Sequence, residues 1–92
     1  MKALTQSELQ QALNTLPNWQ LDQGKLVRDY EFPDFVQAIA FVNQIAELAE
    51  QQNHHPDIDI RYNKVRLALT THDAGGISSK DFDLAAKVGA LI

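Results

Sequence analysis

The chain reads as an α+β protein, a four-stranded antiparallel sheet with three helices packed on one face. Three features carry that reading. Two Ser/Thr-x-x-Glu/Asp signatures each open an apolar stripe at helical spacing, and a longer stripe lies between them. Two further segments alternate apolar with polar residues around short turns. The order is helix, two strands, helix, two strands, helix (α-β-β-α-β-β-α). A chain of 92 residues fits one domain, so residues 1–92 are expected to form a single unit. A unit of this size buries about 60–65% of its unfolded surface, enough for a thin two-layer core.

Thr5-Gln6-Ser7-Glu8 has the form of a capping box, and Leu9, Ala12, Leu13 and Leu16 follow on one helical face. Pro17 and Asn18 stop that helix. Trp19-Gln20-Leu21 and the run from Leu26 to Phe32 flank Asp22-Gln23-Gly24-Lys25, which predicts a hairpin with Gly24 in its turn. Asp34 caps a long helix from Phe35 to about Gln51. Its stripe holds Phe35, Ala38, Ile39, Val42, Ile45, Ala46 and Ala49, and Phe41 and Leu48 widen it to roughly half the circumference. That is more than one sheet face needs. A deeply buried helix and a subunit interface both account for it.

Ile58, Ile60 and Tyr62 alternate with Asp59 and Arg61, and Val65, Leu67 and Leu69 alternate with Arg66 and Ala68. A two-residue turn at Asn63-Lys64 would pair Tyr62 with Val65, Ile60 with Leu67 and Ile58 with Leu69, since Asn tolerates positive φ. A slip of one residue would set Ile60 against Arg66. Ser78-Ser79-Lys80-Asp81 then opens a C-terminal helix carrying Phe82, Ala85, Ala86, Val88, Gly89 and Ile92.

Composition narrows the chemistry. With 8 Lys+Arg against 12 Asp+Glu the formal charge is −4, and the absence of cysteine excludes disulfides, Cys-based metal sites and a thiol nucleophile. An acidic chain without clustered cations is a poor binder of nucleic-acid backbone. No run approaches the ~18 apolar residues of a membrane span. Met1 to Gln6 lacks the apolar core of a signal peptide, so a cytoplasmic protein without membrane contact is expected.

The three histidines are the most suggestive groups. Extending the predicted register outward sets His55 opposite His72, with His54 beside it, on the open face of the sheet at one hairpin end. Pro56 interrupts regular pairing there and disfavours α-helical geometry at His55. One histidine in a small protein is ordinarily a surface or structural residue. Three converging imidazoles can supply both acid and base near neutrality. They could also hold zinc with a water. Against zinc, the adjacent His54 and His55 should diverge, and no His-x-His or His-x-x-x-His spacing exists. Glu50 lies one helical turn before His54 and is either a site residue or a solvated helix carboxylate. Asp81 is either a site residue or a helix cap, because Ser78-x-x-Asp81 is itself a capping pattern. Gly75-Gly76 lacks a Walker-type Lys-Ser/Thr pair and reads as a turn. Trp19 belongs to the core or to a groove wall.

With these residues in view, the sequence resembles the pterin-4a-carbinolamine dehydratase family. The resemblance rests on Glu50-x-x-x-His54-His55-Pro56, then Tyr62, His72 and Asp81 at fixed spacing. The segments Tyr62-Asn63-Lys64-Val65, Thr71-His72-Asp73-x-Gly75-Gly76-Ile77-Ser78 and Asp81-Phe82-Asp83-Leu84-Ala85 look like the family too. Trp19 sits where the family carries its N-terminal tryptophan, and Ile77 replaces the commoner leucine.

The resemblance implies a hydro-lyase that converts 4a-hydroxytetrahydropterin to quinonoid dihydropterin and water, with no metal or redox cofactor. It implies recycling of the tetrahydrobiopterin cofactor of aromatic amino-acid hydroxylases, and hence a functional link to such an enzyme. His54 and His72 would exchange protons, His55 would hold and polarise the pterin, and Glu50, Asp81, Pro56 and Trp19 would bind or support it. A homodimer or homotetramer is expected. Two other roles stay open for such a chain: pterin binding in molybdopterin metabolism, and service as a dimerisation cofactor for a transcription factor.

Overall fold

The computed structural model describes residues 2–91. The three helices and four strands stand in the expected order: α1 (Gln6–Leu13), β1 (Gln20–Asp22), β2 (Lys25–Glu31), α2 (Phe35–Gln52), β3 (Asp57–Arg61), β4 (Lys64–Leu69) and α3 (Ser79–Gly89). A single 3-10 turn, His72–Ala74, joins β4 to α3. All neighbouring strands are antiparallel, in the spatial order β1-β2-β4-β3. Sheet and helices meet in one core, where Leu26, Tyr30, Val65, Leu67 and Leu69 oppose Ala38, Phe41 and Ile45 of α2 and Leu84, Ala85 and Val88 of α3.

The helix starts form as their sequences dictate. Thr5 Oγ1 accepts from Glu8 N at 3.2 Å, and Glu8 Oε1 accepts from Thr5 N at 2.8 Å. Asp34 caps α2 by accepting from Gln37 N at 2.8 Å. α1 ends at Leu13, ahead of Pro17, and its Leu9 and Leu13 only lean on the core. Four residues of α2 are buried, namely Ala38, Phe41, Ile45 and Ala49. Ile39, Val42 and Leu48 are half-buried and Phe35 is 48% exposed, so this chain alone does not bury the whole stripe. On α3 the buried face is Asp81, Leu84, Ala85 and Val88. Leu84 belongs to that face although the predicted stripe omits it, while Ile92 lies outside the described residues.

The first hairpin turns at Gln23-Gly24, with φ of 51° and 79° at the two positions. Both central residues of a type I′ turn need positive φ, and glycine supplies the second without strain. The second hairpin departs from expectation by two residues. Ile60 pairs with Val65 and Ile58 with Leu67, so the turn is Tyr62-Asn63 and not Asn63-Lys64. An even shift leaves the apolar residues on the covered face. The cause is a long-range clamp: Asn63 Nδ2 donates to Phe32 O at 2.8 Å, and Phe32 N donates to Asn63 O at 2.9 Å. Tyr62, at φ 55°, absorbs the unfavourable backbone angle.

The uncovered sheet face is charged. Arg66 donates to Asp22 at 2.7 Å and to Asp29 at 3.2 Å, and Lys25 pairs with Asp57 at 2.8 Å. These cross-strand pairs are largely solvated and add little stability. β3 is an edge strand whose five residues are all exposed. Its Ile58 and Ile60, and the neighbouring Tyr62, are apolar side chains open to solvent.

Candidate active site

The histidines converge beyond the end of the β3–β4 hairpin, whose ladder stops at Asp57 and Ala68. Neither His55 nor His72 lies in a strand, so direct register pairing of the two does not form. α2 ends in a Schellman motif. Asn53 takes the left-handed conformation (φ 51°, ψ 42°), Asn53 N donates to Glu50 O at 3.3 Å, and His54 N donates to Ala49 O at 3.1 Å. The histidine's own amide thus closes the helix, and the chain swings His54 and His55 off the helix axis before Pro56. From the other side, β4 runs into Thr71, which exchanges two backbone hydrogen bonds with Gly76, at 3.0 and 3.3 Å. That closed loop presents His72 to solvent. Gly75 ends its 3-10 turn at φ 76°, a conformation that favours glycine.

A cleft of about 380 Å³ opens between these two segments, lined by Asn53, His54, His55, Thr70, Thr71, His72, Asp73 and Lys80. All three histidines line it. Behind two of them stand carboxylates, paired differently from the helical-spacing expectation. Glu50 Oε2 meets His55 Nε2 at 2.5 Å, not His54, because the helix ends before the i+4 relation can operate. His54 Nε2 instead lies 2.5 Å from Oδ1 of Asp81. The first pair is largely exposed, with side chains 58% and 77% accessible, and the second is enclosed, at 12% and 0%.

Asp81 caps α3 and also contacts His54. Its Oδ2 accepts from Ser78 N at 2.9 Å, completing the capping box of α3, and from Thr71 Oγ1 at 2.8 Å. Its Oδ1 is left for His54. Where that carboxylate is ionised it can only accept, and His54 Nε2 is then the donor. Nδ1 is then the ring nitrogen with a free lone pair.

Trp19 and Pro56 do not line this cleft. Trp19 is buried in the core and borders a separate depression with Leu16, Arg28, Ala86 and Gly89. Asn53, Thr70, Thr71, Asp73 and Lys80 also line the cleft, and the sequence marks them only by adjacency to His54, His72 and Asp81. Among the described residues, no three His, Asp or Glu side chains stand close enough together to hold a metal ion. No described helix is long and apolar enough to cross a membrane.

Known proteins share this arrangement of sequence and fold. A pterin-4-alpha-carbinolamine dehydratase, provisionally so named, from Acidobacterium capsulatum is 56% identical over 92 residues, the full length of both chains. The crystal structure of a transcriptional coactivator/pterin dehydratase from Brucella melitensis superposes with a TM-score of 0.92 at 37% identity, over 98% of each chain. A pterin dehydratase-like protein, identified as a RuBisCO assembly factor in the alpha-carboxysome, matches with a TM-score of 0.66 at 26% identity, over 79% of this chain and 84% of its own. The sequence profile described as pterin 4 alpha carbinolamine dehydratase matches residues 2–91, and the chain belongs to that family.

Proposed function

We propose that the protein removes water from a 4a-hydroxytetrahydropterin by histidine acid–base catalysis. The observation that carries this reading is the gathering of His54, His55 and His72 around one cleft, two of them backed by carboxylates. In the reaction the C4a–O bond breaks as a proton reaches the departing hydroxyl. N5 gives up its proton, and the electron pair of that N–H bond forms the C4a=N5 double bond of the quinonoid dihydropterin.

His54 suits the base. An imidazolium forming there faces the fixed charge of Asp81, and a positioned base of this kind contributes about 10²–10⁴-fold. His72, whose ring has no carboxylate partner among the described residues, donates the proton to the hydroxyl. His55, held by Glu50 at the rim, binds and polarises the pterin. Neither transfer needs a metal or redox cofactor. The product feeds tetrahydrobiopterin recycling beside an aromatic amino-acid hydroxylase in the cytoplasm.

The test follows decay of 4a-hydroxytetrahydropterin by absorbance, with and without protein. His54→Ala and His72→Ala should each lower kcat by about 10²-fold or more, and His55→Ala should mainly raise KM. A rate equal to the uncatalysed dehydration, or wild-type turnover in both variants, refutes the assignment.

The protein works as a homo-oligomer built on the β3 edge. Unpaired backbone groups on an edge strand, flanked here by exposed Ile58, Ile60 and Tyr62, template pairing with a second copy about a twofold axis. Ile60→Glu should shift the mass measured by light scattering towards the monomer. An unchanged mass refutes this interface.

A further inference from the structure

Thr71 stands one residue before His72 but turns inward. It is 6% exposed, its backbone is tied on both sides to Gly76, and its hydroxyl meets two partners, Asp81 Oδ2 at 2.8 Å and Ser78 Oγ at 2.7 Å. A hydroxyl owns one proton. Thr71 gives its proton to Asp81, so the contact with Ser78 must be made by the proton of Ser78. Ser78 Oγ, fully buried, in turn accepts from Lys80 N at 3.3 Å. Every proton in this chain therefore points the same way: Lys80 amide to Ser78 hydroxyl, Ser78 hydroxyl to Thr71 hydroxyl, Thr71 hydroxyl to carboxylate.

The terminus of the chain matters for His54. Oδ2 of Asp81 receives two donors, Thr71 Oγ1 and Ser78 N, which together fix the plane of the carboxylate. Oδ1 then has one direction to face, towards His54 Nε2. Without the Thr71 hydroxyl, Oδ2 keeps one donor, Ser78 N, and the carboxylate plane is less firmly held about Cβ–Cγ.

We propose that Thr71, itself oriented by Ser78, is the positioning residue that locks His54 in the Nε2–H tautomer and so keeps Nδ1 as its proton-accepting atom. The inference rests on His54 being the base in the proposed dehydration, but its central claim concerns a tautomer that can be read without substrate.

The test uses ¹⁵N-resolved spectra of the imidazoles in the full chain, recorded for wild type, Thr71→Val and Thr71→Ser. Wild type should show His54 as the Nε2–H form. Thr71→Val, of equal shape, should lower the Nε2–H to Nδ1–H ratio about tenfold, the order set by one buried hydrogen bond. It should lower kcat by a similar factor with KM within twofold, and Thr71→Ser should restore both. If Thr71→Val does not fold, Ser78→Ala, which removes the next link, should move the tautomer ratio in the same direction by a smaller factor. A tautomer ratio unchanged in a folded Thr71→Val, or in a folded Ser78→Ala where Thr71→Val fails, overturns the proposal. A tautomer shift in a protein that shows no dehydration at all upholds the relay and rejects the reaction.

Discussion

Asp81→Asn separates the two jobs of this carboxylate, and its cost follows from the contacts. The side chain is fully buried and accepts three hydrogen bonds, from Thr71 Oγ1, Ser78 N and His54 Nε2. An asparagine can turn its carbonyl oxygen to the Oδ2 position and keep the first two. Its amide then presents N–H groups to a histidine nitrogen that already carries a proton. Either the charge-assisted bond is lost with a buried donor left unpaired, or His54 changes tautomer. A hydrogen bond to a charged group contributes about 1.5–3 kcal/mol, and an unsatisfied buried group adds to the loss, so we expect a destabilisation of about 2–4 kcal/mol. Unfolding entropy near ~2.1 cal/mol/K per residue converts this to a fall in Tm of about 10–20 °C. Calorimetry at one fixed protein concentration, which removes the effect of any self-association, measures it. A fall below about 3 °C with unchanged far-UV circular dichroism would refute the claim that this carboxylate is held by three donors.

Three further outcomes are expected. The Tyr30 hydroxyl is buried without a hydrogen-bond partner among the described residues, so Tyr30→Phe should stabilise the fold by about 1 kcal/mol in urea titration. Burial also pushes the Tyr30 phenol up, with Arg28 partly opposing it. Stability from this group is complete below the unfolded-state value and is lost as pH rises through the folded one, so the variant should show a flatter alkaline limb. At the Schellman turn, Asn53→Gly should be tolerated, whereas Asn53→Val forces a β-branched residue to positive φ and should cost about 1–2 kcal/mol; equal stability of the two would contradict the left-handed turn. The Thr5 amide holds the Glu8 carboxyl below its ordinary value, so the stabilisation of α1 is present above that value and fades as pH falls through the lower folded one. Carbon-13 shifts over Gln6–Leu13 should lose helicity on acidification in wild type, and Glu8→Gln should be weaker and insensitive to acid.

Much of the fold was legible because its signals are local. The Thr5 and Ser78 capping boxes and the Asp34 cap each involve residues within a few positions of one another and form as read, and the period-two segments form strands, although Tyr62 falls in the turn. What escaped was long-range or set by an unexpected backbone angle. The β3–β4 register slipped by two because Asn63, the residue suited to positive φ, is committed to Phe32 across 31 positions, and Tyr62 takes the angle instead. The histidine set was legible as a cluster, but its pairing was not. Helical spacing points Glu50 at His54. The left-handed residue at Asn53 ends the helix and reassigns Glu50 to His55. Asp81 reads as a cap or a site residue, and the buried surroundings in which it meets both Ser78 and His54 exist only once α3 is docked beside α2.

The division of labour between the two oxygens of Asp81 changes how relatives of this chain should be read. A relative that served only as a scaffold would still need Ser78 and Asp81 to start α3, so retention of that Ser-x-x-Asp signature says nothing about turnover. The exposed pair Glu50–His55 and the loop histidine His72 contribute no comparable structural bond and are free to drift once the chemistry is gone. On the proposed reaction, the histidines that line the cleft would be a better guide to turnover than this buried carboxylate.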